Sequence, residues 1–217
     1  MWQVFAVGGV VALVSMAAHA EDGLYASLHG GASLAGEIDS ASPNVSGIDG
    51  RTEFETGFLV GGAFGYRFGQ FRGEIEIAYR DNDVESVDLR RGPALRGVGD
   101  LETLTGMVNV FYDADLTPFG LDRVLPYVGG GLGAAHLDAD SPSNAILRVD
   151  GSDTVLAWNL QAGIAYAITE DVRLGVGYRY LDTAEFTFDA NAVGTSGTID
   201  LDGLSSHEVL ASVRYHF

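Results

Sequence analysis

The amino-acid sequence predicts an all-β fold, an eight-stranded antiparallel up-and-down transmembrane β-barrel. Three observations carry that expectation. Eight segments alternate apolar and polar residues with a period of two. Each is about ten residues long, enough for a tilted strand to cross a bilayer. The connections between them alternate between short and long, as expected when turns lie at one end of a barrel and loops at the other.

The segments follow one scheme. In the first, Leu24, Ala26, Leu28, Gly30, Ala32 and Leu34 alternate with Tyr25, Ser27, His29, Gly31 and Ser33. In the second, Phe58, Val60, Gly62, Phe64 and Tyr66 oppose Leu59, Gly61, Ala63, Gly65 and Arg67. The third, FRGEIEIAYR, sets Phe71, Gly73, Ile75, Ile77 and Tyr79 against Arg72, Glu74, Glu76, Ala78 and Arg80. A soluble sandwich would bury its apolar face and leave those charges in water, so this segment alone does not decide the fold. The fourth sets Leu104, Gly106, Val108, Val110 and Tyr112 against Thr103, Thr105, Met107, Asn109 and Phe111. The fifth sets Val128, Leu132 and Ala134 against Tyr127, Gly129, Gly131 and Gly133. In the sixth, Leu156, Trp158, Leu160, Ala162, Ile164 and Tyr166 oppose Asn159, Gln161 and Gly163. In the seventh, Val172, Leu174, Val176, Tyr178 and Tyr180 oppose Arg173, Gly175, Gly177 and Arg179. The last sets Val209, Ala211, Val213, Tyr215 and Phe217 against Glu208, Ser212, Arg214 and His216.

Short connections are expected at Gly69-Gln70 and Ile168-Thr169-Glu170, with a longer one from Asp113 to Val124. Four long loops are expected at 36–55, 81–102, 138–153 and 182–206. Aromatic residues gather at strand ends on the apolar face. Tyr66, Phe68, Phe71, Tyr166, Tyr215 and Phe217 would form a girdle at the periplasmic end, with Tyr79, Trp158 and Tyr180 at the outer end. A soluble sandwich has no reason to sort aromatics by depth. The barrel is therefore the expected fold.

Residues 1–20, MWQVFAVGGVVALVSMAAHA, are apolar through Met16 and end on Ala18-His19-Ala20, a cleavage pattern of an export signal. The stretch lacks the usual basic n-region, but it is too short and too poorly flanked for a membrane anchor. A cleaved signal peptide over 1–20 and an exported barrel over 21–217 are expected. Of 217 residues, 30 are Asp or Glu and 12 are basic, all of them arginine, for a formal charge of −18. Such acidity excludes the basic footprint of nucleic-acid binding. The absence of cysteine excludes disulfides and thiolate metal sites.

Eight strands leave a lumen filled by side chains. The alternation turns Arg67, Arg72, Glu74, Glu76, Arg80, Arg173, Arg179, Glu208 and Arg214 inward. Buried charges need partners. Neighbouring strands would pair Arg173 or Arg179 with Glu208, and Arg67 or Arg72 with Glu74 or Glu76. The cluster reads as a salt-bridged plug, with a gated ion path as the alternative. Gly61, Gly65, Gly129, Gly131 and Gly133 would leave room for the arginines opposite. A phosphate-cradling role for GGGLG fails, because no helix start follows it and lysine is absent.

The loops carry Asp, Gly, Ser and Thr, but no twelve-position calcium loop with its closing Glu. No cofactor is expected. Arg90, Arg91 and Arg96 in the second long loop are candidates for contact with lipopolysaccharide. For catalysis, only Ser205-Ser206-His207-Glu208 gathers suitable residue types. Adjacent strand residues face opposite ways, so His207 and Glu208 cannot cooperate directly. No catalytic residue is assigned.

The strand LPYVGGGLGAAH, the segment VRLGVGYRYLD and the ending VLASVRYHF resemble bacterial outer-membrane β-barrel proteins of the OmpA-like transmembrane and opacity-type porin families. The resemblance spans the whole exported chain. It implies a Gram-negative outer-membrane protein with outer-membrane lipids, lipopolysaccharide and the barrel-assembly machinery as partners. Loops would be available to a host or cell-surface ligand. The ending, with Val209, Ala211, Val213, Tyr215 and Phe217 on one face, is similar to the assembly signal of such barrels. No peptidoglycan-binding domain is expected after the barrel. The functions implied are a structural or adhesive surface protein or antigen, then a low-conductance pore, then a lipid A-modifying enzyme.

Overall fold

The computed structural model describes residues 22–35, 38–41, 50–54, 56–89, 95–140, 147–149, 151–192, 195–201 and 203–217. Eight strands form the wall: β1 (Gly23–Ala35), β2 (Thr56–Phe68), β3 (Phe71–Leu89), β4 (Leu95–Asp113), β5 (Val124–Asp140), β6 (Gly151–Ala167), β7 (Val172–Thr183) and β8 (Ser205–His216). Each pairs antiparallel with its chain neighbour. β8 then pairs with β1 from Tyr25↔His216 to Ala35↔Ser206, which closes the sheet into an eight-stranded barrel. Closure removes the unpaired edges that a lipid environment could not solvate. At the seam, the Phe217 backbone N–H donates to Leu24 O at 3.0 Å.

The alternation of the sequence becomes an inverted burial pattern. Ile75, Ile77, Leu132 and Leu156 are 62–76% exposed, whereas Glu76, Arg80, Arg179 and Glu208 are at most 1% exposed. Water would not tolerate that arrangement, because large apolar patches are costly to solvate and buried charges to desolvate. Hydrocarbon outside and a polar lumen inside resolve both costs. A sandwich would have placed the same two faces the other way round.

The short turns follow local rules. Phe68 and Phe71 are register partners across a two-residue turn whose first position, Gly69, has φ +58°. No described non-glycine residue has positive φ, so Gln70 does not, and the pattern is that of a II′ hairpin. Between β4 and β5 the chain makes a single 3₁₀ turn, Thr117–Phe119, closed by left-handed Gly120. Asp115 accepts the Thr117 backbone N–H at 2.9 Å, and its hydrogen bonds to Thr117 hold its carboxyl below the usual carboxylate range.

Strand ends differ from expectation at the opposite end. Much of 81–102, expected as loop, is strand: β3 and β4 are 19 residues each and pair out to Val87↔Leu95 through an irregularity between Val84 and Ser86. About ten residues suffice to cross a bilayer, so this hairpin projects well beyond it. Five short strands continue the sheet from β3 in the order Gly50–Phe54, Ile38–Ala41, Thr195–Leu201, Phe186–Ala192 and Leu147–Val149. The expected loops at 36–55, 138–153 and 182–206 all contribute to it. A strand leaving the barrel already holds its backbone in register with a neighbour, so pairing propagates where composition alone suggests a coil. Arg90 and Arg91 lie outside the described residues, as does the 1–20 segment; Arg96 lies in β4, and its side chain is not described.

Candidate functional site: the luminal ion-pair network

Two clusters fill the lumen, one at mid-barrel and one nearer the short turns. At mid-barrel, Arg80 donates from Nε to Glu208 Oε1 at 2.6 Å and from Nη1 to Thr105 at 2.8 Å. Glu208 is shared with Arg179 Nη1 at 3.5 Å, and Arg179 Nη2 donates to Glu76 Oε2 at 2.6 Å. Asn109 Nδ2 reaches the same Glu76 oxygen at 3.3 Å, and Asn159 Nδ2 donates to Asn109 at 2.9 Å. With its carboxamide oxygen turned to the guanidinium, Gln161 meets Arg179 Nε and Nη2 at 3.1 Å each. His29 Nε2 stands 3.9 Å from Glu76 Oε1.

This chain of charges crosses the barrel. Arg80 and Glu76 project from β3, while Glu208 and Arg179 project from β8 and β7 on the far wall. Arg179 and Glu208 are direct register partners, as neighbouring-strand pairing anticipates. Their 3.5 Å contact is longer than either 2.6 Å contact across the lumen. Curvature explains the preference: in a narrow barrel, long side chains on facing walls converge near the axis.

The second cluster is organised by Arg72. It donates from Nε to Asp113 at 3.0 Å and from Nη1 to Glu74 at 3.1 Å, and its guanidinium lies 3.7 Å from the centroid of the Phe111 ring. Tyr25 donates to Glu74 at 2.7 Å, and Arg214 lies over the Tyr25 ring at 5.2 Å. Of the expected pairings, Arg72 with Glu74 is present. Arg67 pairs with neither glutamate; its Nε donates to Gly69 O at 2.8 Å. Arg173 does not reach Glu208, because the register sets it opposite Arg214, six residues further along β8.

Several residues of the network were not singled out from the sequence. Tyr25, Thr105, Asn109, Asn159 and Gln161 sit on the inward face of the alternation, but neutral polar side chains draw no attention beside arginines and glutamates. Asp113, expected at the start of a connection, instead ends β4, buried against Arg72. The glycines also serve different neighbours than expected. A Cβ on Gly129 or Gly131 would strike Phe111 or Asn109, and one on Gly133 would lie 2.7 Å from Met107 Sδ. They make room chiefly for large side chains of β4, their register partners, and only through Phe111 for an arginine.

Outside, Val209, Val213, Tyr215 and Phe217 are 40–54% exposed and Ala211 is exposed too, on the face opposite Glu208 and Arg214. Tyr66, Phe68, Phe71, Tyr112 and Tyr166 are exposed at the same short-turn end. Phe71 and Tyr112 meet as tilted rings with centroids 5.4 Å apart, and Tyr215 and Phe217 meet edge to face at 5.2 Å. At the other end, Trp158, Tyr180 and His207 form an outward aromatic group with contacts of 5.5 and 5.2 Å. His207 therefore points away from the lumen in which Glu208 is buried.

A closed wall, an apolar exterior and a charged interior agree with the family to which the sequence aligns: a model described as outer membrane protein beta-barrel domain matches residues 5–217. The chain belongs to that outer-membrane β-barrel family. A curated outer membrane protein of Gluconacetobacter diazotrophicus is 30% identical over 221 residues, covering 90% of this chain and 57% of that protein. The chain thus spans little more than half the length of that relative. OprG of Pseudomonas aeruginosa superposes with a TM-score of 0.60 at 17% identity, over 91% of this chain and 98% of OprG. Neisserial surface protein A superposes with a TM-score of 0.54 at 21% identity, over 89% and 97%. At those identities the two solved barrels share the fold with this member of the family.

Proposed function

We propose that this chain is a surface barrel of the outer membrane with a structural or adhesive role, its lumen closed and its long connections presented outside the cell. One observation carries the reading: segments from all four long connections join a single sheet continuous with β3. A pore needs an open lumen, not a platform built on its rim. The transluminal run Arg80–Glu208–Arg179–Glu76 also supports a plug over a conduit. His207 and Glu208 on opposite sides of the wall weigh against hydrolysis of lipid A. The partners in this reading are outer-membrane lipids and lipopolysaccharide, the barrel-assembly machinery, and a ligand met by the outer sheet.

Expressed in a non-adherent laboratory strain, the chain is expected to raise surface adhesion or resistance of the envelope to detergent. Replacing 186–201 by a short turn should abolish the adhesive gain while surface levels stay unchanged. If expression changes neither property, the reading fails. Refolded protein in planar bilayers should stay silent; discrete conductance steps would favour the pore instead.

Export by a cleaved 1–20 segment and assembly through the terminal strand belong to the same proposal. Phe217 lies in the aromatic girdle and its backbone closes the seam. Phe217→Ser should lower the amount of folded protein in the outer membrane several-fold; equal amounts on fractionation would contradict the role.

A further inference from the structure

The lumen near the short turns holds more buried positive charge than negative. Register sets Arg173 of β7 directly opposite Arg214 of β8, and Arg67 of β2 opposite Arg72 of β3. Among the described residues, the acids within the wall at this level are Glu74 and Asp113, and Arg72 engages both. Arg173 and Arg214 are 8% and 7% exposed, yet Nε and Nη1 of Arg173 and Nε of Arg214 have no hydrogen-bond partner among the described residues. Nε2 of His216, from the same end, has none either. Like charges facing each other across a sheet are unfavourable, and buried donors without acceptors cost more still. A cavity of ≈ 340 Å³ opens beside Arg173, lined by Arg67 and Arg173 together with Asp113, Ala114 and Leu125; Arg214 and His216 are not in its lining.

We infer that this mouth is a binding site for a phosphate-type oxyanion. Among the described residues, unpartnered guanidinium nitrogens outnumber unpartnered acceptors here, the one such acceptor being Asp113 Oδ2. A tetrahedral oxyanion supplies several acceptors at once, and the planar guanidinium fork matches it in geometry. Exposed Asp115 and Asp122 also line the cavity, but solvated charges at its rim are screened by water and salt. The cavity is ample for a phosphate with part of its hydration, a water occupying about 30 Å³. The same chemistry is offered by free phosphate and by the phosphodiester of a lipid headgroup at the membrane surface.

The test uses the full chain refolded in a maltoside detergent, which carries no phosphate, titrated calorimetrically with inorganic phosphate and, separately, with a short-chain phosphatidylglycerol. One saturable site is expected for at least one probe, and the tighter probe identifies the source. Arg173→Gln and Arg67→Gln, the two guanidiniums of the lining, should each weaken binding by about tenfold or more, the effect of losing one charge-assisted hydrogen bond. Arg123→Gln, on the exposed connection nearby, should leave it unchanged. Absence of saturable binding to the unaltered chain would overturn the site. So would equal binding of chloride at matched ionic strength, or binding that survives both substitutions. If Arg173→Gln does not refold, Arg67→Gln and the unaltered chain decide the matter.

Discussion

Glu208→Ala is expected to destabilise the folded barrel by about 3–5 kcal/mol, the cost of leaving buried charge uncompensated. Glu208 is fully buried and neutralises two guanidiniums, Arg80 at 2.6 Å and Arg179 at 3.5 Å. Neither arginine can reach water, since each is 1% exposed. The loss should appear as a lower urea midpoint for unfolding from lipid vesicles, and as weaker heat resistance on electrophoresis. Glu208→Gln retains the volume and one acceptor, so its loss should be smaller. A double variant, Arg80→Met with Glu208→Leu, should recover part of the difference, because removing both charges avoids desolvating either. Glu208→Ala behaving like the unaltered chain would show that water enters the lumen and solvates the arginines, and the plug would have to be abandoned.

Gly131→Val is the second large effect. The new Cβ would strike the Asn109 carboxamide and lie 2.7 Å from Val108 O, an atom of the neighbouring backbone. Moving Asn109 breaks its bond to Glu76 and the bond it accepts from Asn159. Overpacking of about 1–3 kcal/mol adds to roughly 1 kcal/mol for each hydrogen bond. Refolding yield and urea stability should both fall. Gly106→Val is the matched control: the site faces outward and nothing lies within 4 Å of its added Cβ. A valine there should be neutral or mildly stabilising. If both substitutions proved equally harmful, strand flexibility rather than luminal space would explain the glycines.

The two predictions draw on different levels of the molecule. Which residues face inward is a local property, legible in any strand from its period of two. The third segment illustrates it: Arg72, Glu74, Glu76 and Arg80 fall on one face and are all buried. Which of them meet is not local. Arg80 finds Glu208 over a separation of 128 residues, and Arg179 finds Glu76 over 103. Sequence reasoning reached the adjacent-strand pair Arg179–Glu208, set by register, and the same-strand pair Arg72–Glu74, set by the two-residue period. It missed the contacts across the axis, which depend on barrel diameter and stagger.

The outer sheet shows the same division. Segments such as Phe186–Ala192 and Thr195–Leu201 carry too many polar and small residues to announce a strand. They pair because the barrel below delivers their ends side by side, and unpaired backbone has fewer good alternatives there. The sequence alone determined the strand number, the inward and outward faces, the aromatic levels and the family, because each rests on a two-residue period or a short motif. The tertiary structure decided which charges neutralise each other, which arginines are left over at the mouth, and how the long connections join. Those depend on closing the sheet into a ring, which brings together residues that no local pattern links.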